Sequence, residues 1–176
     1  MKHSTELEHA LRNLRQLTGI TLDVKADTEE EEIQALTQIR CLCNAYQEKY
    51  NKTHFLQGLV TGTIPIYDIL ERAPRLHINL EERRILFLLK TKGSLDETIP
   101  EILKNLFPPQ THSYLVPLTE SSMVVLRPVK DSETENDFLQ IARTIVDTLN
   151  MEALSFIQVA YSGCFHSLSE CSEAYK

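Results

Sequence analysis

The chain has 176 residues, 42% of them hydrophobic. At roughly 150 residues per domain this is one ordinary domain plus a remainder, with too much apolar material for a disordered chain. Its 25 acidic side chains outnumber the 18 basic ones, for a net charge of −7, which argues against this chain gripping a nucleic-acid backbone, where Lys and Arg are in surplus. The longest apolar run, Ile85 to Leu89, falls far short of the ~20 residues that cross a bilayer. Met1-Lys2-His3 leads to Glu6 and Glu8 rather than to an apolar leader, and four cysteines are too few for a disulfide scaffold. A cytoplasmic location with reduced thiols is the expectation.

Helix starts are marked by Ser or Thr followed three residues later by Glu, the capping-box pattern in which each side chain satisfies the other residue's free backbone N–H. Five pairs occur: Thr5/Glu8, Thr28/Glu31, Ser94/Glu97, Ser132/Glu135 and Ser167/Glu170. The first helix carries Leu7, Leu11 and Leu14 on one side and stops at Gly19. Ile20, Leu22 and Val24 alternate with polar residues, which predicts a short half-buried strand. A long helix runs from Thr28 toward Gly62, with Leu36, Ile39, Cys43, Tyr46 and Tyr50 spaced by threes and fours. Pro65 opens a further helix bearing Ile66, Ile69 and Leu70, which ends near Pro74.

Strands and helices then alternate. Arg84–Thr91 has a continuous apolar centre, the mark of a strand buried on both faces. A helix over 94–106, closed by Pro108-Pro109, precedes a hairpin of strands His112–Leu118 and Ser122–Val129 around Thr119-Glu120-Ser121. A helix over 132–149 and a strand Leu154–Tyr161 follow, then a helix from Ser167. Residues 84–161 thus read β-α-β-β-α-β, which predicts an α+β chain: a ferredoxin-like domain with two helices on one face of an antiparallel sheet. The division expected is a mostly helical region over 1–80, with one short strand, and the ferredoxin-like domain over 81–176.

Several segments carry a family resemblance. Phe55-Leu56-Gln57-Gly58-Leu59-Val60-Thr61-Gly62, Ile69-Leu70-Glu71-Arg72-Ala73 and Leu76-His77-Ile78 resemble the lead-in of PucR/CdaR-type bacterial transcription regulators. Arg83-Arg84-Ile85-Leu86-Phe87-Leu88 is similar to the opening of their GGDEF-like domain. Val159-Ala160-Tyr161-Ser162-Gly163, Leu168 and the stretch Ser172-Glu173-Ala174-Tyr175-Lys176 resemble its last strand and the helix after it. The resemblance covers about residues 55–176. It implies a regulatory, non-enzymatic, dimerising module, open to an unknown small-molecule effector, in a regulator whose DNA contact is made by a helix-turn-helix beyond this chain. The last helix is expected to be cut short at Lys176.

The competing chemistry is cyclase-like. A catalytic GGDEF domain shares this core, and its hairpin turn carries glycines that let the backbone approach a phosphate and carboxylates that hold Mg²⁺. Here the turn is Thr119-Glu120-Ser121-Ser122-Met123, with no glycine and one carboxylate. Neither a P-loop nor a G-x-G-x-x-G is present, so no catalytic residue and no cofactor are assigned. A degenerate nucleotide-binding domain is the alternative, and a metal- or redox-responsive switch through Cys164, His166 and Cys171 is a second one. Metal binding is not the expectation at that set, because Cys164-x-His166-x-x-x-x-Cys171 lacks a fourth ligand nearby in sequence. The seam Leu36, Ile39, Cys43, Tyr46 and Tyr50 has two readings, packing inside its own domain or a homodimer interface, since helix-turn-helix regulators bind paired half-sites as dimers.

Overall fold

The structure, a computed structural model, describes residues 5–176, the side chains of residues 48–50 excepted. Its packing divides at His54/Phe55 into two compact units. The expected boundary at 80/81 does not coincide with this division.

The first unit is a pair of helices. Helix α1, Thr5–Thr18, sets Leu7 and Leu14 against Ile39 and Cys43 of α2, Glu29–Thr61, with Leu11 and Leu36 flanking them. α1 ends where expected: Gly19 takes φ +72°, a conformation only glycine adopts without strain, and its N–H reaches Arg15 O at 2.9 Å. α2 opens on the expected capping box, in which Glu31 N–H donates to Thr28 Oγ1 at 3.2 Å and Thr28 N–H donates to the Glu31 carboxylate at 3.3 Å. The strand expected over Ile20–Val24 does not form. Residues 19–27 take no regular structure, and Ile20 and Leu22 are exposed. Alternation makes a strand only where a second strand completes the hydrogen-bond ladder, and none of the described residues offers one.

The second unit is built on an antiparallel sheet. Its strands are β1 Glu81–Thr91, β2 Tyr114–Thr119, β3 Ser122–Pro128, β4 Ile157–Tyr161 and the short β5 Phe165–Ser167. The order is β2-β3-β1-β4, with β5 continuing beside β1 beyond β4. With helices α4, Thr98–Leu106, and α5, Glu135–Glu152, as the two crossovers, this is the ferredoxin-like topology. β1 lies at the centre, and its side chains divide by parity. Ile85, Phe87 and Leu89 meet Ile99, Leu103, Phe138 and Ile145 of α4 and α5. Leu86 and Leu88 face the other way.

That second face has its own cover. Phe55, Leu56, Leu59 and Val60 from the last turns of α2 pack there, with Ile69 and Ala73 of helix α3, Ile66–Arg75. Phe165, Leu168 and Cys171 close the same core, and α6, Cys171–Tyr175, ends the chain. Continuous burial in β1 therefore reflects three layers: α4 and α5, the sheet, and a layer drawn from both ends of residues 55–176. The positions of two caps differ from expectation. α4 begins at Thr98 and is capped by Asp96, whose carboxylate accepts from the N–H groups of Thr98 and Ile99 at 3.0 and 3.3 Å. α5 begins at Glu135 on a capping box between Thr134 and Asp137. Ser167/Glu170 holds as expected, with Ser167 N–H 2.9 Å from the Glu170 carboxylate. Among the described residues, no helix is long and apolar enough to cross a membrane.

Candidate functional site

In this topology the hairpin turn between β2 and β3 and the segment after β1 lie at one end of the sheet. The turn closes without glycine. Thr119 pairs with Ser122, their hydroxyls 2.7 Å apart, and Ser121 N–H donates to Thr119 Oγ1 at 3.3 Å. Neither Glu120 nor Ser121 takes a positive φ, and the ladder is irregular between Pro117 and Thr119. A bulge thus does what a glycine would otherwise do. The turn's carbonyls are also occupied: Ser121 O accepts from Thr91 N–H at 2.9 Å and Glu120 O from Leu95 N–H at 2.7 Å. Thr91 Oγ1 donates to Gly93 O, tightening the same loop. Of the nearby carboxylates, Glu120 is exposed and Asp96 is committed to capping α4. A turn that presents backbone N–H groups to a phosphate needs room for close approach, and this one is stitched to the adjoining loop.

The opposite end of the sheet holds an open cavity of about 470 Å³, lined in part by Arg83, Glu133, Phe138, Tyr161 and Cys164. Glu133 on its wall is held in an ion pair. Arg127 and Glu133 meet through two hydrogen bonds of 2.6 and 3.1 Å, and both are largely shielded from solvent. The Arg127 hydrogen bond, aided by Lys130 N–H, holds the Glu133 carboxyl below its ordinary range despite opposing desolvation.

Arg83 and Arg84 divide between the faces, as alternation along a strand requires. Arg83 lines the cavity beside Phe138. Arg84 points into the other core and is 1% exposed. Its Nη2 donates to Asn79 O at 2.7 Å and to the Glu82 carboxylate at 2.8 Å, while Nε and Nη1 are buried with no partner. Burial raises the Tyr114 phenol and pushes the Cys171 thiol up to about 12, and the Arg84 charge opposes both shifts. Composition hides this guanidinium. Its only sequence signal is that Arg84 shares the parity of Leu86 and Leu88.

The sequence candidates are placed as follows. Cys164 packs with the α4/α5 core and Cys171 with the opposite core, so the sheet separates the two thiols, and His166 is exposed. Among the described residues, no three His, Cys, Asp or Glu side chains gather as a metal site. Of the α2 seam, Ile39 and Cys43 are buried against α1, Leu36 flanks them and Tyr46 is half-buried. The Tyr50 side chain lies outside the described residues.

No curated protein and no solved structure matches the chain. A family model described as GGDEF-like domain matches residues 61–176, which takes in α3, the whole sheet, both crossover helices and α6. With this match taking in more than half of its length and the whole β-α-β-β-α-β core, the chain belongs to the GGDEF-like domain family.

Proposed function

We propose that this GGDEF-like domain is a non-catalytic regulatory module of a PucR/CdaR-type bacterial transcription regulator, acting as a homodimer and receiving a small-molecule signal. The observation that carries the non-catalytic reading is the hairpin turn, glycine-free and with its Ser121 N–H already donated to Thr119 Oγ1. Phosphate binding there needs free backbone donors and paired carboxylates for Mg²⁺, and the turn supplies one exposed carboxylate, Glu120. The regulator context is supported by the order of the Phe55–Gly62, Arg83–Leu88 and Val159–Gly163 segments. In this reading DNA is recognised by a helix-turn-helix elsewhere in the regulator. The charge of residues 131–176, eight acidic side chains against Arg143 and Lys176, agrees with such a division of labour.

Calorimetric titration with GTP and Mg²⁺, run beside a turnover assay, tests the reading. The expected result is neither heat of binding nor cyclic product. Micromolar binding without turnover makes this a degenerate nucleotide-binding domain, and any cyclic product overturns the non-catalytic reading outright. A gel shift with the chain alone is expected to show no sequence-selective complex at physiological salt.

A further inference from the structure

The sheet has two edges, and they are finished differently. On β2, Pro117 has no N–H to offer, its carbonyl already accepts from Gln57 Nε2 at 2.7 Å, and the ladder is irregular just beyond it. An incoming strand finds this edge interrupted. β4 ends the strand order on the other side, and none of the described residues pairs with its outer edge. Its sequence Ile157-Gln158-Val159-Ala160-Tyr161 has no charge and no proline, and its pairing to β1 is regular throughout.

The outward groups can be identified. Ser162 N–H donates inward to Leu86 O at 2.9 Å. Antiparallel alternation then turns the backbone groups of Gln158 and Ala160 inward too, and leaves N–H and C=O of Ile157, Val159 and Tyr161 pointing away from β1. The side chains of these three residues lie on the α5 face, where Val159 and Tyr161 are only partly buried. Gln158 and Ala160 are exposed on the opposite face.

We propose that β4 pairs antiparallel with β4 of a second copy of this chain about a two-fold axis at Val159, joining two sheets into one. Val159 then faces the partner's Val159, and Ile157 faces the partner's Tyr161, which covers the half-buried side chains on the α5 face. Two observations favour a second copy over a foreign strand. The ends of β4 differ in charge. Lys92 follows Thr91, the partner of Ile157, and its ammonium lies 4.9 Å over the Phe156 ring, whereas Tyr161 at the other end lies near Arg83 and two carboxylates, Glu133, which is paired with Arg127, and Glu135. Antiparallel self-pairing brings Lys92 of each copy to the end of the other that holds Glu135. In addition, with β2 blocked the association closes at two copies, as a two-fold requires, and cannot run on as a fibre. The edge is short, so association in the micromolar range is expected.

This pairing is read from the edge alone and stands whether or not the domain binds a nucleotide. Sedimentation velocity of the full chain across a concentration series tests it, beside the double variants Q158K/A160K and Q158E/A160E. Both side chains are exposed, and across the two-fold Gln158 lies opposite the partner's Ala160, so like charges meet directly. Each double variant is expected to keep its circular dichroism and to self-associate at least about tenfold more weakly, while an equimolar mixture of the two recovers the dimer. Amide exchange of the unmodified chain gives a readout independent of any variant: protection at Ile157, Val159 and Tyr161 is expected to rise with concentration. A monomer at every concentration, variants that dimerise like the parent chain, a mixture that stays monomeric, or exchange at those amides indifferent to concentration would each overturn the proposal.

Discussion

The two faces of the sheet are made by alternate residues of the same strands, yet they are held together by different means. On the α4/α5 face, Ile85, Phe87 and Leu89 meet an apolar core. On the other face the same strand carries a buried guanidinium, Arg84, two of whose three nitrogens have no partner. The first face gains stability from area and close packing, which add up over many weak contacts. The second carries a charge whose removal from water is only partly offset by Asn79 O and the Glu82 carboxylate. An apolar face is damaged by making a hole in it. A face with an under-satisfied charge is damaged by taking the charge's partner and is little harmed by taking the charge itself.

The largest effect expected from this contrast is on the apolar face. Phe87 is fully buried, and Phe87→Ala is expected to cost about 3–5 kcal/mol in urea unfolding; a loss under about 1 kcal/mol would show that α4 and α5 collapse onto the gap. Next comes Glu133→Gln at the edge of that face, expected to cost about 1–3 kcal/mol at pH 7 by ending the two-hydrogen-bond pair with Arg127. Because the Glu133 carboxyl is held below its ordinary value of 4.5 in the folded chain, its contribution is complete above that value and is lost as pH falls through the lowered one. Melting curves of the two proteins should therefore converge as pH falls below 4.5 and through the lowered value, and curves that stay parallel would sink the assignment.

On the Arg84 face, Glu82→Ala is expected to cost about 1–2 kcal/mol, less than a fully buried partner would, since the Glu82 side chain keeps 36% of its exposure. Smallest of all is Arg84→Met, which keeps the stem and removes the charge: a change within about 1 kcal/mol of zero, of either sign, is expected. Should Arg84→Met cost more than Glu82→Ala, the two orphaned donors must be satisfied in solution, and the contrast between the faces disappears.

Local chemistry was legible in the sequence wherever both partners lie within a few residues of each other. Thr28/Glu31 and Ser167/Glu170 form their capping boxes, and Gly19 ends α1. The β-α-β-β-α-β order was legible too, because strand and helix periods differ and each element here is long enough to show its own. At Ser94/Glu97 and Ser132/Glu135 the same local grammar was outbid two residues further on by Asp96 and by Thr134/Asp137. Several Ser, Thr and Asp side chains compete there, and the packing of the helix on the sheet decides which one caps it.

What only the tertiary structure decided are the features whose partners lie far away along the chain. Ile20–Val24 has a strand's alternation but finds no ladder, whereas Phe165–Ser167, too short to announce itself, becomes a strand because β1 is there to pair with it. The sequence of α2 reads as one continuous helix from Thr28 toward Gly62. Yet Ile39 and Cys43 pack on α1, while Phe55, Leu56, Leu59 and Val60 cover a sheet whose strands come later in the sequence. Periodicity states that a side of a helix is apolar and is silent on what covers it. The burial of Arg84 belongs to the same class. Its parity with Leu86 and Leu88 assigns it a face, but whether that face meets water or a second layer depends on residues 55–78 and 165–175 folding over it.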